Sequence, residues 1–291
     1  MVRFGRISTA MVTPFDRKGN IDFPKTIKLV NHLITNGTDS LVVAGTTGES
    51  PTLSTEEKIA LFRQVLKAAD GRVPVIAGTG CNNTYASIEL TKKAEEIGVD
   101  GILLVAPYYN RPNQTGLYEH FYTIAKSTSL PVMLYNIPGR SAVNISPETI
   151  IELSKIENIV AVKEASGDLN AMAEIIEGTA EDFHLYSGDD GLALPVMSIG
   201  GHGVVSVASH VIGPEMQQMF QLFEEGNHKQ AALLHRKLLP LMRGLFHAPS
   251  PTPVKTALQM TGFDVGSVRL PLVPLTEPER SALLALLNNI K

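Results

Sequence analysis

Eight short apolar runs recur along the chain about every 25 to 30 residues, and this repetition constrains the fold more than any other feature. They are Ile7–Val12, Leu41–Ala44, Val73–Ala77, Gly101–Val105, Pro131–Tyr135, Ile159–Val162, Phe183–Tyr186 and Gly203–Val207. Most are too short for a buried helix and are rich in β-branched residues, so they read as strands covered on both faces. The stretches between them carry helix signals. Ser54-Thr-Glu-Glu57 is a capping box, and apolar residues at helical spacing follow from Lys58 to Lys67. Asn82-Asn-Thr84 opens a similar pattern that runs to Ile97. Ser146-Pro-Glu148 places a cap before a proline at the first helical position. Eight strands alternating with helices in 291 residues predict an α/β protein built as a (β/α)8 TIM barrel. A doubly wound open sheet is the alternative, weakened because no glycine-rich dinucleotide fingerprint follows the first strand.

After about residue 225 the strand signals stop. Asn227 to Leu245 is one long amphipathic pattern, Pro251-Thr-Pro253 breaks it, and Val254–Met260 and Glu277–Ile290 read as further helices. The expected division is a barrel over residues 1–225 and a small all-helical domain over 226–291. The net charge of −4 is spread along the chain, with no basic run for nucleic acid and no acidic docking tail. Cys81 is the only cysteine, which excludes an internal disulfide and fits a reducing compartment. The opening Met1-Val-Arg-Phe-Gly-Arg6 is too broken by charge for a signal peptide. No apolar run approaches the ~18 residues of a membrane span. The expectation is a soluble cytoplasmic protein that engages neither nucleic acid nor membrane.

In a barrel of this kind the active site forms at the C-terminal ends of the strands. The sixth run, Asn158-Ile-Val-Ala-Val-Lys163-Glu164, places a lysine at the far end of a buried strand, where it is costly unless paired or neutral. Two readings stay open. Lys163 marks the point where the strand meets water, or burial lowers its pKa from roughly 10.4 toward roughly 7 and leaves an amine that attacks a ketone to form a Schiff base. The second run ends in Gly45-Thr46-Thr47-Gly48-Glu49-Ser50, whose backbone N–H groups and hydroxyls suit a carboxylate, although the same turn serves as an ordinary strand-to-helix connection. The fourth ends in Pro107-Tyr-Tyr-Asn-Arg-Pro112 and the fifth in Tyr135-Asn-Ile-Pro-Gly-Arg140. Gly188-Asp-Asp190 follows the seventh, and Gly203-Val-Val-Ser206 forms the eighth. Each tyrosine alone reads as a packed aromatic. A lysine, tyrosines, threonines and an arginine at one rim together supply what imine chemistry on a keto acid needs: an amine, a proton shuttle and carboxylate anchors. No metal site is expected. The eight histidines form no H-x-H or H-E-x-x-H pair, and the strand ends offer no three-ligand set. Cys81 has no matched histidine and reads as a small buried or rim residue.

Gly45-Thr-Thr-Gly-Glu-Ser50, Tyr108-Tyr-Asn-Arg-Pro112, Tyr135-Asn-Ile-Pro-Gly-Arg140, Val162-Lys-Glu164 and Gly188-Asp-Asp190 resemble the family of 4-hydroxy-tetrahydrodipicolinate (dihydrodipicolinate) synthases. The motifs stand in the family's order and separations from about Ile7 to the C-terminus. They are specific to the pyruvate-dependent class I aldolases. Arg140 after the Asn-x-Pro-Gly turn is similar to the synthases, whereas the sialic acid and keto-deoxy sugar aldolases share the fold and the lysine and are expected to lack that arginine. The resemblance implies a lyase that condenses pyruvate with L-aspartate 4-semialdehyde in lysine and diaminopimelate biosynthesis. It implies no cofactor beyond the imine at Lys163. By resemblance, Thr46 and Thr47 hold the pyruvate carboxylate, and Tyr135 passes protons. Thr46 links Tyr135 to Tyr109, and Arg140 binds the semialdehyde carboxylate. Gly188 and Val205 line the pocket with backbone groups. Tyr109 then reaches in from a neighbouring subunit, so a homo-oligomer, a tetramer built as a dimer of dimers, is implied.

Two other readings stand beside it. One is a sibling aldolase acting on a keto-deoxy sugar acid, similar to N-acetylneuraminate lyase. The other is a barrel kept only for ligand binding, which is expected to have lost one of Lys163, Tyr135 or Thr46. Some members of the family are inhibited by lysine at a dimer interface, through histidines and an acidic residue near the second and third loops. The corresponding positions here are Thr55, Lys58 and Ala86, so weak or absent lysine inhibition is expected.

Overall fold

A computed structural model describes residues 4–290. Met1 to Arg3 of the opening stretch and Lys291 at the end of the helical segment lie outside the described residues. Eight parallel strands close into a barrel in chain order, β1 (Ile7–Ala10), β2 (Ser40–Val43), β3 (Val75–Gly78), β4 (Gly101–Val105), β5 (Val132–Asn136), β6 (Ile159–Glu164), β7 (His184–Ser187) and β8 (Gly203–Ser206). Closure is made by β1 against β8, with Ser8 opposite Val205 and Thr9 opposite Ser206. All eight expected strands are present, with ends shifted by at most two residues and β4 unshifted. The open-sheet alternative is excluded by the closure.

Helices fill the outside: α1 (Phe23–Thr35), α2 (Thr55–Ala69), α3 (Thr84–Ile97), α4 (Gln114–Ala125), the single turn α5 (Pro138–Ser141), α6 (Pro147–Ser154), α7 (Leu169–Gly178), α8 (Ala193–Ser198) and α9 (Ser209–Glu224). The starts of α1, α2, α3, α4, α6 and α7 are set by side chains that satisfy the free N–H groups of a first turn. At α2 the Glu57 N–H donates to Ser54 Oγ, and the Ser54 N–H donates back to the Glu57 carboxylate. Asn83 caps α3, and Ser146 with Pro147 opens α6. After α9 come α10 (His228–Gly244), α11 (Thr252–Met260) and α12 (Glu277–Asn288). These fold back onto α9, and their Leu238, Leu241, Val254 and Leu258 join the same apolar cluster as the barrel's outer layer.

Two apolar layers follow from the period-two alternation of strand side chains. The outer layer faces the helices. The inner one fills the barrel with Val42, Ile76, Leu103, Met133, Ala161, Tyr186 and Val205, so the interior is a packed core.

Candidate active site

The alternation decides which end residues face the mouth. On β5, Met133 and Tyr135 point inward; on β6, Ala161 is inward, and so Lys163 is inward too. The ladder sets Lys163 between Tyr135 on one side and Tyr186 on the other. Lys163 is only 6% exposed, and its Nζ stands 4.0 Å above the centre of the Tyr135 ring. Among the described residues no hydrogen bond or carboxylate holds that nitrogen. The burial of Lys163 goes against the reading in which the strand meets water at this residue. Gly188 gives it room. A Cβ there would stand 3.2 Å from Lys163 Cε and 2.6 Å from the Ala165 side chain.

Glu164, one residue on, turns outward and does something else. Its carboxylate accepts from Asn136 Nδ2 at 2.8 Å and from the Ser166 N–H at 2.6 Å. Asn136 Nδ2 also donates to Asn144 Oδ1, and the Ile145 N–H donates to Asn136 Oδ1. Burial pushes the Glu164 carboxyl up, against the pull of those donors. This cluster ties both ends of the loop that carries α5, and with it Arg140, to the rim of the barrel.

The turn after β2 is held in an unusual shape. Ala44 and Glu49 both have positive φ, 53° and 58°. The Ser50 N–H donates to Gly45 O, the Glu49 N–H donates to Thr46 O, and Thr13 Oγ1 donates to Gly48 O at 2.7 Å. Gly78 on β3 permits this approach, since a Cβ there would stand 2.5 Å from Ala44 O. Behind β7, Asp190 is sealed from water. Its carboxylate accepts from the Val207 and Ala208 N–H groups at 3.0 and 2.9 Å and from Ser206 Oγ. It thus holds the end of β8 to the start of α9 (a structural use of the Gly-Asp-Asp motif).

Between these turns lies a cavity of about 240 Å³, bounded by Gly45, Thr46, Tyr135, Ile137 and Arg140, with Tyr108, Ser50 and Leu103 closing it. Thr46, Tyr135 and Arg140 thus meet at one mouth, with Lys163 against Tyr135. Thr47 is buried behind Thr46 and does not bound the cavity, and Val205 lies deeper, in the inner apolar cluster. Tyr109 is not brought in. It is 90% exposed with φ of 74°, and among the described residues no hydrogen bond joins Thr46 to Tyr135 or to Tyr109. Tyr108, Ser50 and Ser141 also bound the cavity; Ser50 and Tyr108 lie in motifs where Thr46, Thr47 and Tyr109 were the residues given roles, and Ser141 carried no signal. Burial raises the Tyr108 phenol above its usual range. Cys81 lies half-buried at the rim, its Sγ near Asn83 O. Among the described residues, no three His, Cys, Asp or Glu side chains gather as a metal cluster would require, and no helix is long and apolar enough to cross a membrane.

The sequence matches the Dihydrodipicolinate synthetase family over residues 3–290. The chain belongs to this family. It is 64% identical over 98% of its length to a 4-hydroxy-tetrahydrodipicolinate synthase of Bacillus velezensis, of which 99% is covered. It is 63% identical over 99% of its length to the Bacillus subtilis enzyme of the same name, covered in full. The crystal structure of a dihydrodipicolinate synthase from Bacillus anthracis superposes with a TM-score of 0.99 at 65% identity, each chain covered completely. A lysine-bound family structure from Cyanidioschyzon merolae gives 0.98 at 47% identity, covering 100% of this chain and 99% of that one. These synthase relatives set aside the sugar-acid aldolase reading.

Proposed function

We propose that the protein is a 4-hydroxy-tetrahydrodipicolinate synthase, a lyase condensing pyruvate with L-aspartate 4-semialdehyde in lysine and diaminopimelate biosynthesis. The observation that carries this reading is the water-poor Lys163, its Nζ 4.0 Å above the Tyr135 ring beside a cavity bounded by Thr46 and Arg140.

The Lys163 amine attacks the pyruvate carbonyl and water leaves, giving an imine. The imine is an electron sink, so a methyl proton departs and an enamine forms. The enamine carbon attacks the aldehyde of the second substrate, whose oxygen takes a proton. The substrate's own amine then closes on the imine carbon and releases Lys163. Tyr135 moves the protons, and its place against Nζ suits that work. Thr46 and Thr47 hold the pyruvate carboxylate, with Gly188 beside Lys163 and Val205 deeper in the barrel. Arg140, on the rim of the cavity, takes the semialdehyde carboxylate with its planar fork.

Tyr109 finishes the site from a second subunit. Its 90% exposure in one chain supports this, and makes a homo-oligomer, a dimer of dimers, part of the mechanism. No cofactor is required, because the imine supplies the electron sink. We assign residues 1–225 as the catalytic barrel and 226–291 as a helical domain, in a cytoplasmic enzyme.

A steady-state assay with both substrates tests the assignment. Arg140→Lys is expected to raise KM for the semialdehyde by about 10- to 100-fold, the scale of a lost bidentate charged contact, and to change KM for pyruvate little. Equal losses for both substrates contradict the role given to Arg140.

A further inference from the structure

The junction between the barrel and the C-terminal helices contains a buried ionic cluster that the reaction scheme does not use. Lys255 on α11 is 2% exposed and its Nζ stands 2.6 Å from Glu49 Oε1. The other oxygen of Glu49 accepts the Arg269 backbone N–H at 2.8 Å. Lys255 Nζ also donates to Ser267 O at 2.8 Å. The Arg269 guanidinium donates to Thr52 O at 2.7 Å, to Gly19 O at 2.8 Å and to the Glu57 carboxylate. Both cations lie over the Phe15 ring, at 4.2 and 4.4 Å.

Glu49 belongs to the turn that carries Thr46 and Thr47, and its backbone is left-handed at φ 58°, a conformation L-residues avoid unless surroundings over-determine it. The surroundings here are the C-terminal segment. Removing the pull on the carboxylate leaves a strained turn with its own short hydrogen bonds and Thr13 to hold it.

We infer that Glu49, Lys255 and Arg269 are positioning residues for the turn Gly45–Ser50, so that the helical domain sets how well the site holds the keto-acid carboxylate. The inference rests on the reading of Thr46 and Thr47 as the carboxylate anchors. It gives the C-terminal helices a part in substrate binding beyond covering apolar surface.

The test is borohydride trapping of the pyruvate adduct on Lys163 across a range of pyruvate concentrations, in wild type, Glu49→Gln, Lys255→Met and the double variant, with Tm recorded for each. Single variants strand one buried partner. The double variant removes both charges together and is expected to recover Tm, because a neutral pair replaces an ionic one. Half-saturating pyruvate is expected to rise about tenfold to a hundredfold in the singles and to stay raised in the double, while the adduct at saturation is retained. If the singles fail to fold, the double variant alone decides. A folded double variant with wild-type half-saturation overturns the inference and leaves the pair a structural one. Absence of adduct in the wild type overturns the proposed chemistry itself, and this inference with it.

Discussion

Two lysines in this chain are almost completely withdrawn from water, one at the barrel mouth and one at the junction with the C-terminal helices. Lys163 is 6% exposed and Lys255 is 2% exposed, and each amine lies over an aromatic ring. They differ in what else they touch. Lys255 has a carboxylate at 2.6 Å and a carbonyl at 2.8 Å, while Lys163 has the Tyr135 ring, which itself bounds the cavity of about 240 Å³. Burial alone does not make a lysine a nucleophile. Burial pushes the Lys255 ammonium down to about 8 despite Glu49, yet its nitrogen is committed to partners, and the cavity that Lys255 borders is a small one of about 40 Å³. Lys163 Nζ has no such partner among the described residues, and the missing side chain at Gly188 leaves room beside its Cε.

The same substitution made at both positions sharpens the contrast. Lys163→Met is expected to abolish turnover, by roughly 10⁴- to 10⁶-fold, the scale of losing a covalent nucleophile. Its unfolding free energy should stay level or rise, since an unpaired polar group leaves a buried place. Lys255→Met is expected to lower the unfolding free energy by about 3–5 kcal/mol, because Glu49 is left buried and alone. Urea unfolding and a rate assay on the two variants check both halves. A large stability loss at position 163, or none at 255, breaks the comparison. Tyr135→Phe keeps the ring beneath Lys163 and removes the hydroxyl. A loss of about 10²- to 10⁴-fold in kcat is expected, with the fold intact. Rates near wild type would move the proton work to another group.

A smaller effect is expected from two buried histidines. Burial holds His210 and His120 down to about 4, against an ordinary value of 6.5. Below pH 6.5 the unfolded chain takes up protons that the folded chain refuses, so stability falls as pH drops toward 4. The contribution is up to roughly 3 kcal/mol for His210, which is sealed between the ends of β1 and β8, and less for His120. Denaturation midpoints across that pH window, for wild type and His210→Gln, check the sign. The smallest effect is expected from added lysine. Thr55 and Ala86 are exposed and carry no carboxylate, and the half-buried Lys58 repels a cation, so millimolar lysine should leave the rate nearly unchanged. Strong inhibition in a steady-state assay would show that other groups bind it.

Much of the contrast was legible in the sequence and part of it was not. The strands were, because a barrel strand is a short β-branched run bounded by helix caps, and Ser54, Asn83 and Ser146 mark those caps in plain view. Lys163 was, because a charge at the end of Ile159–Val162 breaks a pattern. Lys255 was not. It sits inside a helix with no local anomaly, and its partner Glu49 lies more than two hundred residues earlier, in a motif whose threonines drew the attention. Glu164 and Asp190 were visible as motif letters, but their tasks depend on which face of a strand end they occupy and on donors from other elements. Tyr109 marks the limit of a single chain. It is 90% exposed in one chain, and the role proposed for it needs a second subunit.

The most direct measurement is borohydride reduction of the protein with pyruvate, followed by peptide mass mapping. The account predicts one stable adduct, on Lys163, absent without pyruvate and absent in Lys163→Met. An adduct on Lys255 or no adduct at all would contradict it, and the difference between the two buried lysines would then have to be explained another way.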